Sequence, residues 1–163
     1  MNRSLKCIVF LLFVGLVAAH AGRVQFSDRA DGILAASTVP QAQLLEPAEL
    51  VGLLKAGAPD RPVLFQVGSF VMFQQAHIPN SGFAGPGLQP SGLTLLKKLA
   101  APLKKNQPIV IYCGCCPWGR CPNIGPAYKQ LRDLGFTNVK ALYIANNFGD
   151  DWVSKGYPVE RGE

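Results

Sequence analysis

Three short apolar runs constrain this chain more than any other feature. They are VLFQV at 63–67, PIVIYC at 108–113 and VKALYI at 139–144. None follows a clean apolar–polar alternation, so each suits a strand covered on both faces, as in a parallel sheet. Parallel neighbours need crossovers of a dozen or more residues, and the stretches between the runs carry helix signals. EPAELVGLLKAG at 46–57 has Pro47 in its first turn, Leu50, Leu53 and Leu54 on one face, and Gly57 as a stop. PSGLTLLKKLAAPLKK at 90–105 has Ser91 as its cap and turns Leu93, Leu96 and Leu99 inward. A third helix starts at a capping Asn123, runs through Ala127, Tyr128, Leu131 and Leu134, and stops at Gly135. SFVMFQQAHIPNSGFAGPG at 69–87 reads mostly as loop. DDWVSKGYPVE at 150–160 reads as a last turn or short helix and a tail. The alternation predicts one α/β domain, a central parallel sheet with helices on both faces and right-handed crossovers.

Ligands of such sheets bind beyond the carboxyl ends of the strands. There the chain places CGCCPWGRCPN, 113–123, with Cys113 as the expected last residue of its strand. Cys113, Cys115, Cys116 and Cys121 lie within nine positions, and three chemistries remain open. A thiolate nucleophile is favoured near a helix N-terminus or a cation. The backbone of Gly114 to Gly119, through Pro117 and Trp118, can fold into an anion nest, with Arg120 adding charge. Alternatively, all four cysteines hold a metal. The C-x-C-C-x4-C spacing is not that of paired structural zinc sites and suits a soft ion such as Cu(I) better than Zn²⁺. Thirdly, disulfides staple the loop, with Cys113–Cys116 or Cys115–Cys121 favoured over the strained adjacent pair.

The first residues carry a different signal. Arg3 and Lys6 precede the apolar run CIVFLLFVGLVAA, which ends in Ala19-His20-Ala21 before Gly22. This is the layout of a secretory signal peptide over 1–21, shorter than the roughly 20 apolar residues of a membrane span. The expectation is export to a periplasm or the exterior, with no stable membrane span after cleavage. Residues 22–43 read as an extension or weak first strand, and 44–161 as the domain. Cleavage removes two bases and no acid, taking the formal charge from +6 to +4. Lys97, Lys98, Lys104 and Lys105 surround one helix as a solvated face; no basic stripe interleaved with aromatics points to nucleic acid. Outside the cytoplasm clustered thiols become oxidised or bound, so this cluster is not idle core.

The ordered set VLFQVGS, AHIPNSGF, PIVIYC, LRDLGFTNVKALYI, Trp152 and GYPVE resembles the rhodanese-like family of sulfurtransferases, over about Leu44 to Arg161. The resemblance implies a rhodanese-like α/β fold and a nucleophilic cysteine directly after the central strand, here Cys113. That cysteine carries sulfane sulfur as a persulfide. It also implies a loop cradling a small anionic sulfur donor such as thiosulfate, with no organic cofactor. Cys115, Cys116 or Cys121 would resolve the persulfide or regulate it, passing sulfur to a thiol acceptor or a redox partner protein. The chain departs from the family's pattern in several places. Gln66-Val67-Gly68 stands where Asp-Val-Arg is common, Ala76 precedes His77-Ile78-Pro79 where Gly is common, and Asn146-Asn147 replaces a Gly-Gly. The loop is also long, and Cys115 to Arg120 gives a second register for it. The rival is a non-catalytic rhodanese-like binding module whose cysteines hold Zn or Cu or form disulfides. His77 is placed at a structural turn. Asp150 and Asp151 read as acids capping the last helix, and Tyr112, Tyr128 and Trp152 as core.

Overall fold

The computed structural model describes residues 38–56 and 61–162. The signal peptide at 1–21, most of the extension at 22–43 and the Gly57 stop lie outside the described residues. The five strands are β1 (Leu44–Leu45), β2 (Val63–Gln66), β3 (Gly82–Phe83), β4 (Ile109–Tyr112) and β5 (Val139–Leu142). They form one all-parallel sheet in the order β1-β5-β4-β2-β3. The central strand β4 is buried along its whole length, as its unbroken apolar run requires. It pairs with β2 from Val63↔Ile109 to Gln66↔Tyr112, and with β5 from Ile109↔Val139 to Ile111↔Ala141.

Helices cover both faces. On one face α3 (Pro90–Ala100) and α4 (Ile124–Asp133) bury Leu96, Ala100, Ile124, Ala127 and Leu131 against Phe65, Ile109, Ile111 and Ala141. On the other, α1 (Pro47–Ala56), α5 (Phe148–Asp151) and the residue that follows α5 bury Leu50, Val51, Phe148 and Trp152 against Leu64, Val110, Tyr112 and Leu142. Tyr112 and Trp152 are core with satisfied polar atoms. The Tyr112 hydroxyl lies 2.7 Å from Ser81 Oγ and accepts from Ile78 N–H at 3.0 Å; Trp152 Nε1 donates to Pro158 O at 2.8 Å. Tyr128 is also buried.

The remaining differences from the sequence reading have local causes. The strands end earlier than their apolar runs, β2 at Gln66, β4 at Tyr112 and β5 at Leu142, so Cys113 is the first residue after its strand. The cap of α3 is Gln89 and not Ser91, because Pro90 takes N1, where its missing N–H costs no bond. The same helix stops at Ala100, short of the expected 105; Pro102 lacks the N–H needed to continue the ladder. The segment read as loop contains α2 (Phe70–Gln75). Its six residues are too few to show a period, and ring packing holds them. Phe73 stacks on His77 with centroids 3.9 Å apart and tilts against Phe83 at 5.6 Å. His77 does mark a structural turn. It is buried, its Nδ1 lies 2.8 Å from Phe73 O, and it exchanges backbone bonds with Glu160, tying down the tail. The cap of α5 is Asn147, whose Oδ1 accepts from Asp150 N–H at 2.9 Å; Asp150 and Asp151 sit in the first turn. No described helix is long and apolar enough to cross a membrane.

Candidate active site

The central strand delivers Cys113, 3% exposed, to the carboxyl edge of the sheet. Gly114 then reverses the chain with φ +74°, a left-handed conformation open to glycine at little cost. A Cβ on Gly114 would lie 2.6 Å from Phe148 Cβ. Phe148 N–H also donates to Gly114 O at 3.0 Å, so the turn is pinned to the start of α5. Cys115 follows and is exposed, Cys116 is half-buried, and a single 3-10 turn at Trp118–Arg120 leads to buried Cys121 at the foot of α4.

All four cysteines are free thiols. Cys113 Sγ lies 3.0 Å from Cys115 Sγ, and the sulfurs of Cys113, Cys115 and Cys121 are all within 4.8 Å of one another. Cys116 stands at the margin, 3.4 Å from Cys115 Sγ, with its thiol turned to Arg120 O at 3.7 Å. Asn123 stands at the N-cap of α4, just before Ile124, but its side chain makes no capping bond, because its backbone is already helical at φ −91°, ψ −34°. Its Nδ2 instead donates to Cys113 Sγ at 3.4 Å and reaches Cys115 Sγ at 3.9 Å, while its Oδ1 accepts from Leu88 N–H at 3.1 Å.

These contacts divide the charge unevenly. Hydrogen bonds from Cys113 and Cys121 pull the Cys115 thiol down to about 2, so Cys115 is the thiolate of the cluster. Cys113 is pushed well above the ordinary thiol range by its bonds to Cys115 and Cys121 and by burial, and stays protonated. Burial, with the bond to Cys115, raises Cys116 to about 12. Cys121 is lowered by its bond to Cys113, but the bond to Cys115 and burial outweigh this and leave it raised; the N–H groups of Asn123 and Ile124 also face its sulfur.

The other expected site residues lie outside the sulfur cluster. Within the loop the N–H groups of Trp118, Arg120 and Cys121 donate to Ala145, Pro117 and Trp118 carbonyls, and Pro117 and Pro122 have none. The Cys115 N–H faces its own sulfur, so the loop donors without a partner among the described residues are those of Gly114, Cys116 and Gly119. Arg120 is exposed, and its guanidinium makes no hydrogen bond or ion pair among the described residues. Pro117 and Gly119 are exposed, while Trp118 packs on Tyr143 with ring centroids 5.4 Å apart.

Two residues not expected in the site shape its floor. A Cβ on Gly68 would lie 3.1 Å from Cys113 Sγ and 2.9 Å from Gln66 Nε2, so a side chain there would displace the Gln66 amide and crowd the sulfur. Buried Gln66 accepts from Gly68 N–H at 3.1 Å. Beside them opens a cavity of about 240 Å³, lined among others by Gln66, Met72, Ala76, Cys113, Asn147 and Phe148. None of its lining residues is charged, and Cys113 is the single cysteine among them. The signal for this floor was the Gln66-Val67-Gly68 departure itself.

Fold and site together define an α/β domain with a buried thiol at the carboxyl end of a central parallel strand. The chain belongs to the rhodanese-like domain family, whose model matches residues 46–143. Solved structures share the fold. The BH2092 protein of Bacillus halodurans has 23% sequence identity and a TM-score of 0.55, over 72% of this chain and 75% of that one. The rhodanese-like domain of the Anabaena Alr3790 protein has 19% identity and a TM-score of 0.53, over 73% and 79%. A thiosulfate sulfurtransferase from Pseudomonas aeruginosa has 21% identity and a TM-score of 0.55, over 80% of this chain and 23% of that one. No curated protein matches the sequence.

Proposed function

We propose that the protein is an exported sulfurtransferase or thiol-redox protein that carries sulfane sulfur as a persulfide on Cys113. The observation that carries this reading is the pairing of a cavity-lining thiol with a thiolate 3.0 Å away. Cys113 gives up its proton to solvent base; Cys115, held at about 2, is too weak a base to keep it. Cys113 then attacks the outer sulfur of a small donor. With thiosulfate, the S–S bond breaks, sulfite leaves with the bonding pair, and Cys113 holds S–S⁻. Backbone N–H groups of Gly114, Cys116 and Gly119, with exposed Arg120, are the donors offered to the anionic group.

Two exits follow. An acceptor thiolate attacks the outer sulfur of the protonated persulfide, becomes a persulfide itself and releases Cys113 as thiolate. Alternatively the Cys115 thiolate attacks the inner sulfur of the protonated persulfide, expels HS⁻ and forms a Cys113–Cys115 disulfide. An external dithiol then reduces that bond. Export rests on the N-terminal pattern, which supports a mature chain beginning at Gly22.

Intact-protein mass spectrometry of the chain purified from its export compartment tests both parts. The expected result is a mass beginning at Gly22, and one added sulfur after thiosulfate or an organic persulfide, removed by dithiol and absent in Cys113→Ser. Sulfur loading undiminished in Cys113→Ser would overturn the assignment of the carrier.

A further inference from the structure

We infer that the reduced cluster is also a soft-metal site, taking one Cu(I) ion on Cys113, Cys115 and Cys121. The sulfurs come from a strand end, an exposed loop and a helix foot, and converge within 4.8 Å of one another. An ion with metal–sulfur bonds of about 2.3 Å holds three trigonal sulfurs about 4 Å apart. The site therefore needs little more than a widening of the 3.0 Å Cys113–Cys115 pair, and Cys115 sits on the exposed part of the loop.

The donor set selects the ion. No histidine or carboxylate belongs to the group among the described residues, and an all-thiolate site favours soft ions over hard ones. Structural zinc calls for four ligands in a tetrahedron. The fourth sulfur here, on Cys116, is adjacent in sequence to Cys115 and directed to Arg120 O. Three facing sulfurs fit a trigonal monovalent ion. The sulfurs also have an outer layer of donors. Asn123 Nδ2, itself fixed through Leu88 N–H, serves Cys113 and Cys115, and the Asn123 and Ile124 N–H groups serve Cys121. Such outer partners orient metal ligands. No redox step is involved: Cu(I) enters as Cu(I), and the thiol protons leave to solvent.

This inference is independent of the sulfur-transfer reading, although an ion on Cys113 blocks sulfur loading. The test uses the whole mature chain, reduced and anaerobic, titrated against bicinchoninate-bound Cu(I), with Zn²⁺ in a separate arm. The expected result is one Cu(I) withdrawn per chain, with a new near-ultraviolet sulfur-to-copper band. Cys116→Ser retains the affinity. Cys115→Ser and Cys121→Ser lose at least about tenfold, and so does Asn123→Ala, the scale typical of an outer-layer partner. Circular dichroism checks that each variant folds, and exposed Cys115 supplies the variant least disturbing to the core. Copper left with bicinchoninate would overturn the site, as would a Cys116→Ser loss equal to that of Cys121→Ser or tighter uptake of Zn²⁺ than of Cu(I). Sulfur loading of metal-free protein without copper uptake would overturn the metal site alone.

Discussion

At the scale of single residues, position and charge fall on different sulfurs. Cys113 holds the end of the central strand and lines the cavity, while its bonds to Cys115 and Cys121 keep it protonated. Cys115 holds the negative charge. In Cys115→Ser the largest cause of the raised Cys113 value is gone, and the Cys113 thiol falls back toward the ordinary range. Sulfur loading near neutral pH is therefore expected to rise, with its alkaline limb moved to lower pH. Single-turnover loading followed across pH checks this; a profile like that of the wild type would mean that Cys115 does not hold Cys113 protonated. The cysteine spacing marked the loop where the thiols gather, but not which sulfurs meet. That depends on the left-handed turn at Gly114, its pin to Phe148, and an Asn123 side chain that leaves its helix end for the sulfurs. Each is a contact between segments distant in sequence, which residue spacing does not encode.

At the scale of elements, long periodic stretches were legible and short ones were not. The three apolar runs gave β2, β4 and β5, and the amphipathic stretches gave α1, α3 and α4. The two-residue edge strands β1 and β3 and the six-residue α2 exist because of what they pack on, so sequence pattern understates them. Helix α3 also conceals a tertiary constraint. On propensity alone, Gly92→Ala inside α3 should stabilise it by about 1 kcal/mol. A Cβ there would lie 2.1 Å from Pro86 O and 2.9 Å from the Gly85 carbonyl carbon, both backbone atoms. Overpacking of this kind costs about 1–3 kcal/mol, so the expected net result is a lower urea midpoint with an unchanged slope. The displaced segment also carries Leu88, whose N–H holds Asn123, so the donor that Asn123 gives the Cys113 and Cys115 sulfurs should loosen and thiol reactivity near neutral pH should fall in the same variant. A raised midpoint would mean that the 85–87 backbone yields without loss.

At the scale of the whole molecule, the sheet order puts β4 at the centre and thereby puts the thiol cluster between two cores. Folding therefore fixes the cluster's protonation, and stability must depend on pH through it. Between about 2 and the ordinary thiol value of 9.0, Cys115 is ionised in the folded chain and protonated in the unfolded one. Unfolding takes up a proton over that window, so this residue makes stability rise with pH and its contribution is lost in acid. Cys113 and Cys116 behave oppositely: their raised values mean that unfolding releases protons above 9.0, and stability falls as the solution becomes more alkaline. Tyr112, raised by burial from 10.0 to about 12, steepens the fall. Urea unfolding of the reduced protein under anaerobic conditions should show stability climbing from about pH 6 to about pH 8 and declining beyond about pH 10. The difference between wild type and Cys115→Ser isolates the first limb, because the serine removes the group whose lowered folded value produces it. If that difference stays flat from pH 6 to 8, the cluster's charge does not rest on Cys115, and its hold on the Cys113 proton fails with it.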